Sequence, residues 1–463
     1  MEPARSVICV QGLGFVGFAM ATAVASACDR EGNPYFDVIG VDLPTAEGAA
    51  KVEAINRGEL PLTTTDEELL AAFAKTRQMG NLHATTDPAA YERADVTVVD
   101  IHLDVLRHDS VPSVNFDGFR RAIRVLGERM RPGSLVMVET TVPPGTCERV
   151  VAPELAAALR QRGLPEDAIL LAHSYERVMP GRDYFRSIVD FWRVYAGVTP
   201  HAAEVCAAFL SKVIHVDRYP LTRLHSTTAS ETGKVLENSY RAVNIAFIEE
   251  WGRFAEAVGI DLFEVIDAVR MRPTHSNMRQ PGFGVGGYCL TKDPLLAAIA
   301  ARDLFCRSDI SFPFSQQAVA VNDRMPLRTL DELRRRLGGS LTGRKLLLLG
   351  VSYRQDVGDT RYSPSEIFVR AAEAEGAAVC CHDPLITFWP ELDREVTGPL
   401  PSAKDFDAVI FAVPHEEYRE IDLAKWLQGS RPLLFDANNV LSASQREAAR
   451  LLECPIGSIG RGL

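Results

Sequence analysis

Residues 6–11, Ser-Val-Ile-Cys-Val-Gln, form a short apolar run that ends on a glycine cluster, Gly12-Leu-Gly14-Phe-Val-Gly17. A run of that length bounded by glycine predicts a buried strand. From Phe18 to Asp29 the chain is rich in alanine and free of proline and glycine, which predicts a helix. Residues 37–42 predict a second strand that closes on an acid, Asp42, and Val96–Ile101 and Leu135–Glu139 predict two more. Strands alternating with helical stretches predict a parallel sheet with helices on both faces.

The pattern then changes. Ser226 to Val258 holds no proline, and its apolar positions recur at helical spacing: Val235, Leu236, Tyr240, Val243, Phe247, Trp251 and Phe254. One long helix, or two in line, is predicted, with more helices to about residue 325. A second α/β pattern opens at Lys345, with a helix near Ser365–Glu375 and strands at Ala378–His382, Ala408–Val413 and Pro432–Phe435. The fold class is therefore α/β: two Rossmann-like, doubly wound domains (residues 1–205 and 326–463) joined by a central helical domain (206–325). No short-period repeat or low-complexity segment interrupts it.

Composition narrows the classes of function. The 463 residues carry 50 Lys plus Arg against 61 Asp plus Glu, a net charge of −11. An acidic chain lacks the electrostatic footprint of a nucleic-acid binder. No apolar run approaches the ~18–20 residues of a membrane helix, and the Met-Glu-Pro-Ala-Arg start does not resemble a secretory signal. Nine cysteines without a CxxC pair point to reduced thiols, a cytoplasmic protein and no metal centre.

A GxGxxG turn alone is a common feature of α/β sheets. Here it follows a strand, opens a helix, and is followed by an acid at the end of the next strand. That context points to a dinucleotide. Gly12 permits the turn, Gly14 lets backbone N–H groups approach a pyrophosphate, and Gly17 lets the helix pack on the strand. Asp42 is placed to accept from a ribose 2′-OH, and no Arg or Lys follows until Lys51, which favours NAD over NADP.

The second informative segment is Pro281-Gly-Phe283-Gly284-Val-Gly286-Gly287-Tyr288-Cys289-Leu-Thr-Lys292-Asp293. Four glycines in six positions make a loop whose backbone can wrap a ligand. The thiol leaves that loop just before a predicted helix, beside a cation and an acid, a setting that favours thiolate. The same residue types also suit a structural cysteine after a glycine turn.

These segments together resemble the UDP-glucose/GDP-mannose dehydrogenase family of NAD-dependent nucleotide-sugar 6-dehydrogenases. Its Gly-Gly-x-Cys-x-x-x-Asp loop is matched by Gly286, Gly287, Cys289 and Asp293, and its central-helix motif by Glu231, Lys234, Glu237-Asn238, Arg241 and Asn244-Ile-Ala246. Thr140-Thr141-Val-Pro143-Pro144-Gly145-Thr146, Glu176-Arg177 before Pro180-Gly181, and Asp359-Thr-Arg361-Tyr-Ser363-Pro364 match three further motifs. The Val-Gly-Gly loop, the Pro-Pro-Gly-Thr turn and the Asn-Ile-Ala helix look closest to the branch acting on UDP-N-acetylhexosamines.

The resemblance implies a four-electron oxidation of a C6 primary alcohol to a carboxylate with two NAD in turn. Lys234, or a water held by Asp293, takes the hydroxyl proton. Cys289 adds to the aldehyde, giving a thiohemiacetal and then a thioester, whose hydrolysis involves Glu176, Asp293 and Thr141. Lys234 and Asn238, one helical turn apart, face the developing oxyanion. The implied cofactor contacts are Gly12, Gly14, Phe15, Val16, Gly17, Asp42, Thr141 and Lys292. The implied substrate contacts are Glu176, Arg177, Lys234, Asn238, Arg272, His275, Phe283, Gly284, Gly286, Tyr353, Arg354 and Arg361. The substrate is expected between the two sheets, and a homodimer or larger homo-oligomer is expected, with Phe247, Trp251 and Phe254 as an available stripe.

Several positions depart from the family pattern: Ile101-His102-Leu103-Asp104 where Thr-Pro is usual, Tyr175 before Glu176, Tyr288 before Cys289, and Asn438 where an Arg is often found. They leave open an alternative, a two-electron dehydrogenase or redox epimerase on an unusual nucleotide-linked sugar.

Overall fold

The computed structural model describes residues 5–107, 111–179, 181 and 183–462. It divides into two compact units, Met1–Glu237 with Leu295–Ser311, and Asn238–Pro294 with Phe312–Leu463.

The first unit is built on β1 (Ser6–Gln11), β2 (Phe36–Val41), β3 (Leu82–Thr85), β4 (Val96–Val99), β5 (Leu135–Val138), β6 (Leu170–His173), β7 (Val194–Gly197) and β8 (Thr222–Arg223). They lie in the order β8-β7-β6-β5-β4-β1-β2-β3. The order reverses beside β1, as in doubly wound sheets that take ligands at the carboxyl ends of their strands. The pairing is parallel except between β6 and β7, where Ala172 opposes Gly197 in antiparallel register. The sheet is therefore mixed, and this short inserted strand carries no periodic signal of its own.

Alternate residues of the strands feed two cores. Ile8, Val10, Val98, Leu135 and Met137 pack on one face. Cys9, Val99, Val136 and Val138 pack on the other. This period of two is what a strand buried on both faces requires. The first helix, α1 (Phe15–Ser26), begins three residues before the predicted Phe18 because Gly14 serves as its N-cap. It is buried continuously from Gly17 to Ala25. A helix apolar on all sides belongs in a core, and Phe18 stacks edge-on against Phe73 at 5.2 Å there.

The long helix is a single element, α2 (Thr227–Val258). Its opening turns are fixed within the first unit by Glu231. Both of that residue's carboxylate oxygens accept backbone N–H groups of the Pro-Pro-Gly-Thr turn, from Gly145 at 2.5 Å and Cys147 at 2.7 Å. Burial raises the Glu231 pKa to about 7 against the opposing pull of those bonds.

The second unit holds a five-stranded parallel sheet, β9 (Lys345–Leu349), β10 (Ala378–His382), β11 (Ala408–Phe411), β12 (Leu433–Asp436) and β13 (Ile456–Ser458), in the order β10-β9-β11-β12-β13. Leu346, Leu348 and Ile410 enter one core. Leu347, Leu349, Val409 and Phe411 enter the opposite one. Around this sheet lie α3 (Leu262–Arg270), α4 (Tyr288–Lys292), α5 (Pro313–Arg336) and α6 (Pro364–Ala374). The helix α5 runs eleven residues past the expected end near 325 and accommodates Pro326 within it. No helix among the described residues is long and apolar enough to cross a membrane.

Candidate active site

In the first unit the glycine turn follows β1. Gly12 adopts φ +94°, and a Cβ there would lie 2.6 Å from the Asp100 carbonyl oxygen. A Cβ at Gly17 would lie 1.8 Å from the Gly12 carbonyl oxygen. Neither position admits a side chain. Gly14 caps α1 without a side-chain acceptor, which leaves the helix N-terminus of Phe15 and Val16 as a site suited to an anion. Asp42, one residue past β2, accepts from Leu13 N at 3.1 Å and Leu43 N at 2.7 Å. Lys51 returns to within 4.0 Å of Asp42 but is held more closely by Glu47, at 2.6 Å. An open glycine turn, a helix start without a capping side chain and an acid on the neighbouring strand fit a dinucleotide.

Beside this turn lies a buried ion pair. The Lys234 ammonium donates to the Glu176 backbone oxygen at 2.7 Å and to its carboxylate at 2.9 Å. Both side chains are almost wholly removed from solvent. Glu176 therefore pairs with Lys234 and not with its neighbour Arg177. The Arg177 guanidinium is held by Glu237, to which the Tyr175 hydroxyl also donates at 3.1 Å. This gives the departure at Tyr175 a role: its ring carries the Arg177 cation 5.1 Å from its centroid, and its hydroxyl shares the Glu237 carboxylate with that cation. Burial pushes the Tyr175 pKa up to about 12, so the hydroxyl remains a donor. Thr141 is half-buried. The preceding Thr140 hydroxyl donates to the carbonyls of Val99 and Ile101, at 3.0 and 2.9 Å. Pro180 lies outside the described residues.

In the second unit the thiol loop is fixed at several points. Phe283 is buried against Phe368, 5.7 Å between centroids, and belongs to the core of the sheet. The Asn322 side chain bonds both backbone groups of Val285, at 2.8 and 2.7 Å. Gly287 caps α4, and Cys289 is the second residue of that helix, exposed and in no disulfide. One turn on, Asp293 is buried and accepts from Lys292 Nζ at 3.0 Å and from Asn238 Nδ2 at 2.7 Å. Three of the candidate residues thus meet: Asn238, Lys292 and Asp293. The ammonium of Lys292, expected to reach the cofactor, is engaged by Asp293.

Tyr288, the other departure in this loop, receives the Arg361 guanidinium on its ring at 4.5 Å and on its hydroxyl at 3.1 Å. Arg361 is anchored in turn by Asp359. The Tyr353 ring covers Gly287, beside Gly286, and Gly284 sits against Pro364. Arg354 and Arg272 are exposed and His275 is half-buried, its Nδ1 at 2.9 Å from the Thr274 hydroxyl. Asn438 donates to the Ala412 carbonyl at 2.9 Å. Among the described residues no group of His, Cys, Asp or Glu is arranged to hold a metal ion.

Residues 6–212 match the NAD binding domain of the UDP-glucose/GDP-mannose dehydrogenase family, residues 228–324 its central domain and residues 347–443 its UDP binding domain. The chain is 30% identical over 420 residues to the UDP-N-acetyl-D-mannosamine dehydrogenase of Methanocaldococcus jannaschii, covering 90% of this chain and 87% of that one. It is 29% identical to the NDP-N-acetyl-D-galactosaminuronic acid dehydrogenase of Ralstonia nicotianae, covering 90% of this chain and 92% of the other. Among solved structures, the UDP-D-ManNAc dehydrogenase of Pyrococcus horikoshii superposes with a TM-score of 0.80 at 26% identity, covering 98% of this chain and 99% of that chain.

The contact between Gly17 and the Gly12 carbonyl yields a direct test. Gly17→Ala forces the turn open, and NAD binding should weaken by more than about tenfold, roughly 1.4 kcal/mol. Calorimetric titration with NAD checks this; unchanged affinity would remove the turn from the cofactor site.

Proposed function

Because the chain belongs to the UDP-glucose/GDP-mannose dehydrogenase family, we propose that it oxidises the C6 alcohol of a nucleotide sugar through to the carboxylate, with Cys289 as the covalent group. It is an NAD-dependent oxidoreductase. The observation that carries the covalent reading is Cys289 itself, exposed one turn before the buried Asn238–Asp293–Lys292 cluster. The names of the two relatives favour a UDP-N-acetylhexosamine as substrate, with UDP-glucose as the other candidate. The three-part division at 1–205, 206–325 and 326–463 belongs to the same proposal, the last part holding the nucleotide.

The reaction proceeds as follows. A water held by Asp293, or Lys234 once it has passed a proton to the Glu176 carboxylate, takes the C6 hydroxyl proton as the alcohol is oxidised. Bound NAD supplies the acceptor for two electrons in each oxidation. The Cys289 sulfur then bonds to the aldehyde carbon, forming a thiohemiacetal whose oxidation leaves a thioester. Lys234 and Asn238, one turn apart on α2, supply a cation and an amide N–H to the oxygen that carries negative charge. Donors of this kind contribute about 3–4 kcal/mol each in measured cases. Water, oriented by Glu176 and Asp293 with Thr141, attacks the thioester carbon; the carbon–sulfur bond breaks and Cys289 recovers its proton.

Two NADH should form per sugar consumed. Cys289→Ser should stop after the first oxidation, releasing aldehyde or retaining an adduct, as seen by absorbance and product analysis. Full four-electron turnover by this variant would remove the role given to Cys289. One NADH per sugar from the wild type, or none, would support a two-electron dehydrogenase or an epimerase instead.

We also propose a homodimer. Tyr240, Phe247, Trp251 and Phe254 lie on one stripe of α2 and are each about half exposed, so they are not core of this chain. Their rings already pack edge-on along the helix, Trp251 lying 6.3 Å from Phe247 and 5.9 Å from Phe254. Trp251→Glu should shift the particle mass from dimer to monomer in light scattering. A wild-type monomer would refute the assembly, and an unshifted variant would refute this face.

A further inference from the structure

The strands β4, β5 and β6 end side by side, and each is followed by ionisable groups. Val99 pairs with Val138 and Val138 with His173 in parallel register. The next residues on the first two strands, Asp100 and Glu139, continue the ladder through Asp100 N to the Gln11 carbonyl at 2.8 Å and Glu139 N to the Val99 carbonyl at 3.1 Å. In-register neighbours on parallel strands project to the same side, about 4.8 Å apart. Two carboxyl groups therefore stand together at the carboxyl end of the sheet, with Glu176 beyond β6.

Among the described residues two cations face this row, and each is already engaged. Arg193 is 2% exposed; it pairs with Glu139 and donates to the Tyr175 carbonyl at 3.2 Å. Lys234 is held by Glu176. His173 adds no charge: burial, reinforced by Lys234 and Arg193, lowers its pKa to about 3. Three acids thus share two cations. One oxygen of Asp100 and one of Glu139 are closed off from solvent with no hydrogen-bond donor among the described residues. Like charges in contact cannot both persist without a donor between them.

Asp100 also lies against the dinucleotide turn. Its carbonyl oxygen is what a Cβ at Gly12 would strike, and its Cβ stands 3.2 Å from where a Cβ at Gly17 would be.

We propose that Asp100, packed beside Glu139, keeps its proton at neutral pH, and that dinucleotide binding depends on it. Ionising Asp100 places an uncompensated negative charge beneath a turn built for an anion. Burial, then the charge of Glu139 and the hydrogen bond with it, hold the Asp100 carboxyl well above its ordinary range; Glu176 adds to the rise and Arg193 opposes it. Asp100 is a positioning group for the cofactor turn and takes no part in the oxidation itself.

The test is binding, not turnover. NAD affinity is measured by calorimetry across neutral and alkaline pH for the wild type and Asp100→Asn, an isostere of the protonated acid that cannot ionise. Wild-type affinity should fall by up to about tenfold per pH unit once Asp100 ionises, while Asp100→Asn binds as tightly at neutral pH and keeps a flat profile. The folded state retains a proton that the unfolded chain releases near about pH 4. Wild-type stability should therefore decline as pH rises from there through the folded-state value, and the variant should lack that decline. Infrared spectra of aspartate-labelled wild type give a readout independent of the variant: a protonated-carboxyl band at neutral pH that vanishes in alkali. Superimposable binding profiles for the two proteins, or no such band, would overturn the proposal.

Discussion

The buried pairing of Lys234 with Glu176 constrains the whole first unit. An ammonium and a carboxylate removed from water are costly, and leaving either one alone is costlier still. The pair is tolerable because Lys234 also finds the Glu176 carbonyl and because the helix presenting it cannot shift. Glu231, Lys234 and Glu237 recur at intervals of three along α2, a spacing that places them on one helical face. They are tied to two loops at the carboxyl end of the sheet: Glu231 to the turn at Gly145 and Cys147 after β5, and Lys234 and Glu237 to the segment Tyr175-Glu176-Arg177 after β6. The helix is thereby keyed to the connections that follow β5 and β6.

The architecture was readable from periodicity because the chain obeys it closely. Short apolar runs in β1, β4, β5 and β9 and helical spacing along Ser226–Val258 each mark an element in place. The glycine turn was equally plain, since its spacing encodes close approaches that only glycine permits. What periodicity could not show were pairings between distant positions. Arg193 meets Glu139 across 54 residues, and Tyr175 meets Glu237 across 62. The signal that could have found them is the presence of charged residues immediately after apolar strands, where burial is unavoidable. The antiparallel β7 was missed because Val-Tyr-Ala-Gly lacks the dense aliphatic run that marks β4 and β5, strands of the same length.

The departures at Tyr175 and Tyr288 find a common explanation. Each tyrosine presents its ring to an arginine and its hydroxyl to a polar partner, Arg177 with Glu237 and Arg361. The cations beside the proposed chemistry are thus held by aromatic faces, which suits guanidinium better than ammonium. The turn from Ile101 to Asp104 is different in kind. His102 and Asp104 pair at 2.6 Å near the surface, and the residue that reaches inward is Asp100.

The covalent step is tested most directly by mass. Glu176→Gln, which should slow hydrolysis by removing the proposed water-orienting carboxylate, is mixed with NAD and a UDP-N-acetylhexosamine, quenched in acid and digested. The peptide containing Cys289 should gain the mass of the nucleotide-linked sugar acyl group. Continued formation of sugar acid while Cys289 stays unmodified, in this variant and in the wild type alike, would contradict a thioester at that sulfur.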